Sequence, residues 1–260
     1  MSKINIFFLS FFVLFCSCRP DPEVTDKGNL KINFYFQVNG SDIEYGFNNP
    51  CVFDPYNNWS IQLENLKIYF SNLKATNIDE NSIQNILEVC LVDFTDPYSL
   101  SFNIEMDPGS YNDFTIGFGL DSILNSTNPI TVLPANPLSS NSNMFWSAWP
   151  TYIFMKLDGT MDTSGDGVFN NNNFSYHPGA SKLYNTKTSN NTFEILSSLE
   201  TQIDIVININ NIFYPTESGL SSIDISSEPG THTFIDAVGT VDPLAVTFFE
   251  NVISATTINY

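Results

Sequence analysis

The stretch Leu30-Lys-Ile-Asn-Phe-Tyr-Phe-Gln-Val38 sets apolar residues at every second position and ends at the turn dipeptide Asn39-Gly40. Side chains of an extended chain point alternately to the two faces of a sheet. A period of two therefore describes a strand with one buried face, entering a hairpin. Similar alternation returns in Ile86 to Phe94, Leu100 to Met106, Tyr111 to Gly119 and Thr201-Gln-Ile-Asp-Ile-Val-Ile-Asn-Ile209. Asp96-Pro97 and Asp107-Pro108-Gly109 supply turns between them. Phe145 to Leu157, Phe174 to Tyr176 and Phe193 to Leu199 read as further strands. Many short strands punctuated by Asn, Gly and Pro predict an all-β fold, a single antiparallel β-sandwich. Ser60 to Leu73 mixes signals and could be a short helical turn feeding a strand. In the last stretch the mixed apolar spacing predicts a helix from Pro243 to Val252. No repeat and no shift of composition divides the chain, so one domain is expected over 29–260.

The N-terminus reads as an export signal. Lys3 gives a positive start, Ile4 to Phe15 is almost unbroken hydrophobe, and Cys16-Ser-Cys-Arg-Pro follows. About 12 apolar residues are too few to cross a bilayer, which needs roughly 20. Residues 1–17 are expected to be a lipoprotein signal, with Cys18 lipidated and 18–28 serving as a tether. Ordinary cleavage without an anchor is the alternative. The expected location is the bacterial envelope at the outer membrane, on its periplasmic side or the cell surface, with membrane contact only through lipid.

Only 14% of residues are charged and the net charge is -19. Nucleic acid and anionic membrane are poor partners for such a chain, since both need clustered Lys and Arg. Divalent cations or cationic partners suit it better, and solubility is the commoner reason for such a surface. Beyond the signal and Cys18, the remaining cysteines are Cys51 and Cys90. In an oxidising envelope an even pair is most often a disulfide, which here would contribute roughly 3–4 kcal/mol. A Cu(I) thiolate pair is the sharper alternative.

One block stands apart: Met144-Phe-Trp-Ser-Ala-Trp-Pro-Thr-Tyr-Ile-Phe-Met-Lys-Leu-Asp-Gly159, followed by Phe174-Ser-Tyr-His-Pro-Gly179. Leu66-Lys-Ile-Tyr-Phe-Ser-Asn-Leu73, Val89-Cys-Leu-Val-Asp-Phe94 and the segment from Gly109 to Asn125 precede it. In this order the words resemble the MbnP-like family of secreted copper-binding proteins, over nearly the whole mature chain. Ala148 stands where a second Trp is expected, and Thr151 where a Gly is. The resemblance implies copper held by histidines together with an oxidised tryptophan, kynurenine, made by a partner di-haem enzyme of the MauG type. Carried onto this chain, the copper ligands are His177 and His232 and the oxidation target is Trp146. Met144 and Met155 are possible helpers, and Trp149 is displaced by one place. Gln37 and Ser126 stand where family members carry further histidines. Members also tend to carry a Cys in the regions of Cys51 and Cys90, which supports a bridge.

A second metal reading is independent of the family. Asp162, Ser164 and Asp166, followed by Gly167, match the first half of a calcium loop. Asn173 replaces the bidentate Glu at the twelfth place, and a plain Asp-Gly turn is the competing reading. No nucleophile elbow, zinc-protease helix motif or Cys–His pairing is present, so an enzyme is not expected. The sequence points to an envelope copper-binding lipoprotein. The alternative is an envelope interaction module for protein or glycan, with no copper site and a loop open to calcium.

Overall fold

A computed structural model describes residues 26–43, 51–54, 59–169, 172–235 and 240–260. The expected export signal over 1–17, Cys18 and most of the expected tether lie outside the described residues. In chain order the elements are β1 (Gly28–Val38), β2 (Ser41–Asp42), β3 (Cys51–Asp54), β4 (Trp59–Asn77), β5 (Ser82–Asp93), β6 (Ser101–Met106) and β7 (Gly109–Phe118). Next come α1 (Ser122–Asn125), β8 (Phe145–Trp146), β9 (Thr151–Tyr152), β10 (Met155–Asp162) and β11 (Asn172–Pro178). The remainder is β12 (Asn185–Ser189), β13 (Phe193–Ile195), β14 (Glu200–Asn208), α2 (Ile209–Phe213), β15 (Gly230–Ile235), β16 (Thr240–Val241), α3 (Pro243–Ser254) and β17 (Thr256–Asn259).

The strands form a sandwich. The smaller sheet runs β17-β14-β1-β2, with β6 also paired to β1. The larger is organised on β4. Ile68 pairs with Met155 of β10 on one side and Val92 of β5 on the other, so these strands flank opposite edges. β7 continues along the β10 side and β3 along the β5 side. Beyond β7 lie β12 and β13, and beyond β10 lie β11, β15 and β16. Alternation fills the space between the sheets. Leu30, Ile32, Phe34 and Phe36 of β1 and Ile203, Ile205 and Ile207 of β14 are buried, as are Leu66, Ile68 and Phe70 of β4. Phe34 stacks on Phe70 at 4.8 Å, joining the two sheets.

Two ladders are parallel, β1 with β14 and β11 with β15, among otherwise antiparallel pairings. Alternation tells which residues face inward but not the direction of the neighbouring chain. Ser60 to Leu73 is strand throughout, not a helical turn. Its mixed pattern arises because register shifts at Glu64 and near Leu73 break the alternation, so the buried positions run Ile61 and Leu63, then Leu66, Ile68 and Phe70, then Leu73. Tyr69 lies opposite the core, under the 137–142 segment, its hydroxyl donating to the Pro137 carbonyl at 2.7 Å. The Phe145–Leu157 run is divided into β8, β9 and β10 by a turn in which Trp149 N donates to Trp146 O. The run ending at Ile209 stops one residue early, where the Asn208 side chain caps α2. The segment carrying His232 forms strand β15.

The C-terminal helix is present as α3. Asp242 caps its first turn, Pro243 opens it, and Lys187 Nζ donates to the carbonyls of Ile253, Ser254 and Thr256 at its end. A cation at the carbonyl end of a helix is favourably placed against the helix dipole.

The expected Cys51–Cys90 disulfide is not formed. Cys51 pairs with Ile61 and Cys90 with Phe70 along the same edge of β4. About nine residues of strand therefore separate them, roughly 30 Å at the usual rise, whereas a bridge needs Cα atoms within about 7 Å. Cys90 carries a free, buried thiol, which burial pushes up to about 12. Among the described residues no helix is long and apolar enough to cross a membrane.

Candidate metal centre

His177 lies on β11 and is positioned by its neighbour β10. Asp158 sits opposite Ser175, so His177, two residues further on, shares its face. His177 Nε2 is 2.7 Å from Asp158 Oδ1, and Asn65 of β4 donates to Asp158 Oδ2 at 3.1 Å. Burial alone would raise the Asp158 pKa, but hydrogen bonds from His177, Ser175 and Asn65 outweigh it and hold the carboxyl below its ordinary range. A carboxylate only accepts, so Nε2 is the protonated nitrogen of this bond. Nδ1 has no hydrogen-bond partner among the described residues. In the uncharged form of the ring the remaining lone pair would sit on Nδ1, and the side chain is partly exposed.

His232 is arranged differently. Its Nδ1 is 2.8 Å from Asp242 Oδ2, and its Nε2 is 3.1 Å from the Glu228 carbonyl. Both ring nitrogens face protein oxygen atoms and the ring is buried, so neither nitrogen is turned toward a metal while those contacts stand. The ring also stacks on Tyr176 at 5.0 Å, the residue it pairs with across β11 and β15. Tyr176 precedes His177 on one strand, so their side chains leave opposite faces of the sheet. The two histidines therefore do not converge, and the expected copper site built on both is not assembled. No group of three or more His, Cys, Asp or Glu side chains is placed to hold a metal among the described residues.

Trp146 does approach the His177 strand. Its Cζ3 lies 3.2 Å from where a Cβ on Gly179 would stand. That Cβ would also fall 2.3 Å from the Tyr152 carbonyl oxygen, so this close crossing of two backbones requires glycine. Phe154 N donates to Pro178 O beside it, and Trp149 packs edge-on against Trp146 at 6.2 Å. The aromatic block and the histidine strand thus meet at Pro178 and Gly179, next to His177 in the chain. Met144 and Met155 are fully buried. Met155 points into the core, opposite to the neighbouring Lys156 on the His177 face. Gln37 donates to Asp42, and Ser126 bonds the Ile123 carbonyl at the end of α1.

The calcium-loop residues form a turn built on Asp162. One carboxylate oxygen accepts from Ser164 N, Ser164 Oγ and Gly165 N, and the other accepts from Gly167 N. Burial opposes the charge, but these donors prevail and lower the Asp162 pKa. Asp166 accepts from Val168 N, and Asn173 lies in β11 opposite Thr160. The twelfth residue of the supposed loop is therefore committed to a sheet.

Asp158 and Asp242, the carboxylates behind the two imidazoles, were not singled out from the sequence. Asp242 had a readable sign, an Asp before Pro243 at a helix start. Asp158 had none, because its bond depends on the pairing of β10 with β11.

The MbnP family model matches residues 27–233. The solved structure of MbnP from Methylosinus trichosporium superposes with a TM-score of 0.53 at 12% identity, covering 85% of this chain and 87% of that one. At that identity the likeness is one of fold. A search of curated proteins gives no match. With most of its length, including both histidines, inside the family model, this chain belongs to the MbnP family.

Proposed function

We propose that this protein is an exported, lipid-anchored, non-enzymatic copper binder of the MbnP kind, with His177 as its one placed imidazole. The observation that carries the reading is the Asp158–His177 pair. Metal-ligating histidines ordinarily donate their second ring nitrogen to a carboxylate, which fixes the tautomer and raises ligand basicity. Here Nε2 meets Asp158 and Nδ1 is left open. Copper favours imidazole ahead of most divalent ions. One imidazole is too few for a tight site, so a second donor is needed. Trp146, over Gly179, is the candidate, after oxidation by a di-haem enzyme of the MauG type as the family resemblance implies. Copper titration into protein from its own host tests this. One site lost in His177→Ala and kept in His232→Ala is expected.

The separation of His177 from His232 favours a second reading, an envelope interaction module that kept the fold without the metal, its Asp162 loop open to calcium. Absence of copper uptake by host-purified protein with Trp146 oxidised would select it.

A further inference from the structure

Single exposed apolar residues are normal on a protein surface, but a cluster of them marks a contact. Ile78, Ile83, Leu196, Leu199 and Tyr260 are 43–63% exposed, and all lie at one end of the sandwich. Ile78 N donates to Ser110 O, and Ile83 pairs with Thr76 beside the β4–β5 turn. Ile195, just before Leu196, pairs with Gly109. Asn29 N donates to Leu199 O, and Ser198 N to Lys27 O. Tyr260 stacks on Phe193, which stacks on Tyr111. This is the end at which β1 begins, so the chain preceding Lys27 departs from it. Tyr98 and Val168 are exposed singly elsewhere, and a second group, Ile123, Ile130 and Leu133, follows the opposite end of β7, roughly 33 Å away at the usual strand rise.

We propose that this end of the sandwich rests on the lipid surface, its five apolar side chains entering the headgroup region. The inference rests on the lipid-anchor reading at Cys18. About nine residues join Cys18 to Lys27, and even fully extended they reach only ~30 Å. The end carrying Lys27 is therefore held near the bilayer, while the Ile123–Leu133 loop is directed away from it. Leucine, isoleucine and tyrosine suit an interface where an apolar body meets a wet boundary. Charge selects the lipid. Lys27 is paired with Asp107 and Lys31 with Glu200, while Asp79 and Glu80 add negative charge without a paired cation among the described residues. A zwitterionic surface fits this end and an anionic one opposes it.

The test uses the full lipoprotein purified from its host, in a Cys51→Ser background, reconstituted in phosphatidylcholine vesicles. Spin labels are placed through Ile83→Cys, Leu199→Cys and Leu133→Cys, and collisions with oxygen and with a water-soluble nickel chelate are read by power saturation. Labels at 83 and 199 should gain oxygen contact and lose nickel contact on vesicles, while 133 stays water-like. Added phosphatidylglycerol should weaken the effect at 199. Water-like labels at 83 and 199 on protein whose mass shows the acyl chains would overturn this orientation alone. A mass without acyl chains would overturn the anchor reading and the proposal with it. Shielding of 83 and 199 from both probes would replace the lipid by a protein partner.

Discussion

Tyr176 and His232 face each other across the parallel ladder of β11 and β15, their rings stacked at 5.0 Å with the other face of Tyr176 against Phe248. The pairing fixes His232 as part of the core and, through strand alternation, sends His177 to the other side of the sheet. Two histidines close in space along the ladder are thereby chemically separate.

His232→Ala should therefore act on stability and not on copper. It removes one ring stack, worth about 1 kcal/mol, and two hydrogen bonds worth about 1 kcal/mol each. A loss of about 2–3 kcal/mol in denaturant unfolding is expected, with copper stoichiometry unchanged. A variant as stable as wild type would show that the stack and both bonds contribute nothing net.

The Asp158 network predicts an acid limb. Its folded pKa lies below the ordinary carboxyl value, so its contribution is complete above roughly pH 4, near the unfolded pKa, and is lost as pH falls through the lower folded value. Unfolding profiles of wild type and Asp158→Asn should differ at neutral pH and converge in acid. Parallel profiles down to the acid limit would remove Asp158 as the source.

Cys90 should resist thiol reagents in the native protein at pH 8, since burial both shields the thiol and raises its pKa to about 12. Unfolded without reductant, the protein should release Cys90 and Cys51 as two reactive thiols. If neither reacts, the pairing of β3 and β5 on β4 is incorrect.

Lys187→Met keeps the aliphatic stem but removes the ammonium that donates to three carbonyls at the end of α3. A cost of about 1–3 kcal/mol is expected from charge-assisted bonds at a helix terminus. Hydrogen exchange should quicken first in the last turn of α3, around Ile253 and Ser254. Uniform quickening across the sandwich would point to a general loss of packing instead.

Much of the fold was legible because its cause is local. Leu30 to Val38 and Thr201 to Asn208 alternate as their burial does, and Asp242-Pro243 announces the start of α3. Ser60 to Leu73 misled because register shifts at Glu64 and near Leu73 interrupt the period of two, and because a distant loop covers Tyr69 on the other face. The candidate site was legible only in part for the same reason. His177 and Trp146 stand in recognisable words, but the Asp158 partner and the opposed faces of His177 and His232 follow from strand pairing. The cysteines misled likewise. The oxidising envelope expected from the sequence would allow a bridge, and their positions along β4 are too far apart for one.

The ladder joining Asn29–Gln37 to Glu200–Asn208 has a consequence for how the molecule is made. The first of the described strands finds neighbours on one edge early, in β2 and β6, but its other edge stays open until some 170 further residues have followed. Contacts so distant in sequence slow folding. An open apolar strand edge in the meantime invites pairing with other chains. The nascent protein thus depends on holding Leu30–Phe36 apart from like segments until its last quarter arrives, a demand on chaperoning that the finished sandwich no longer shows.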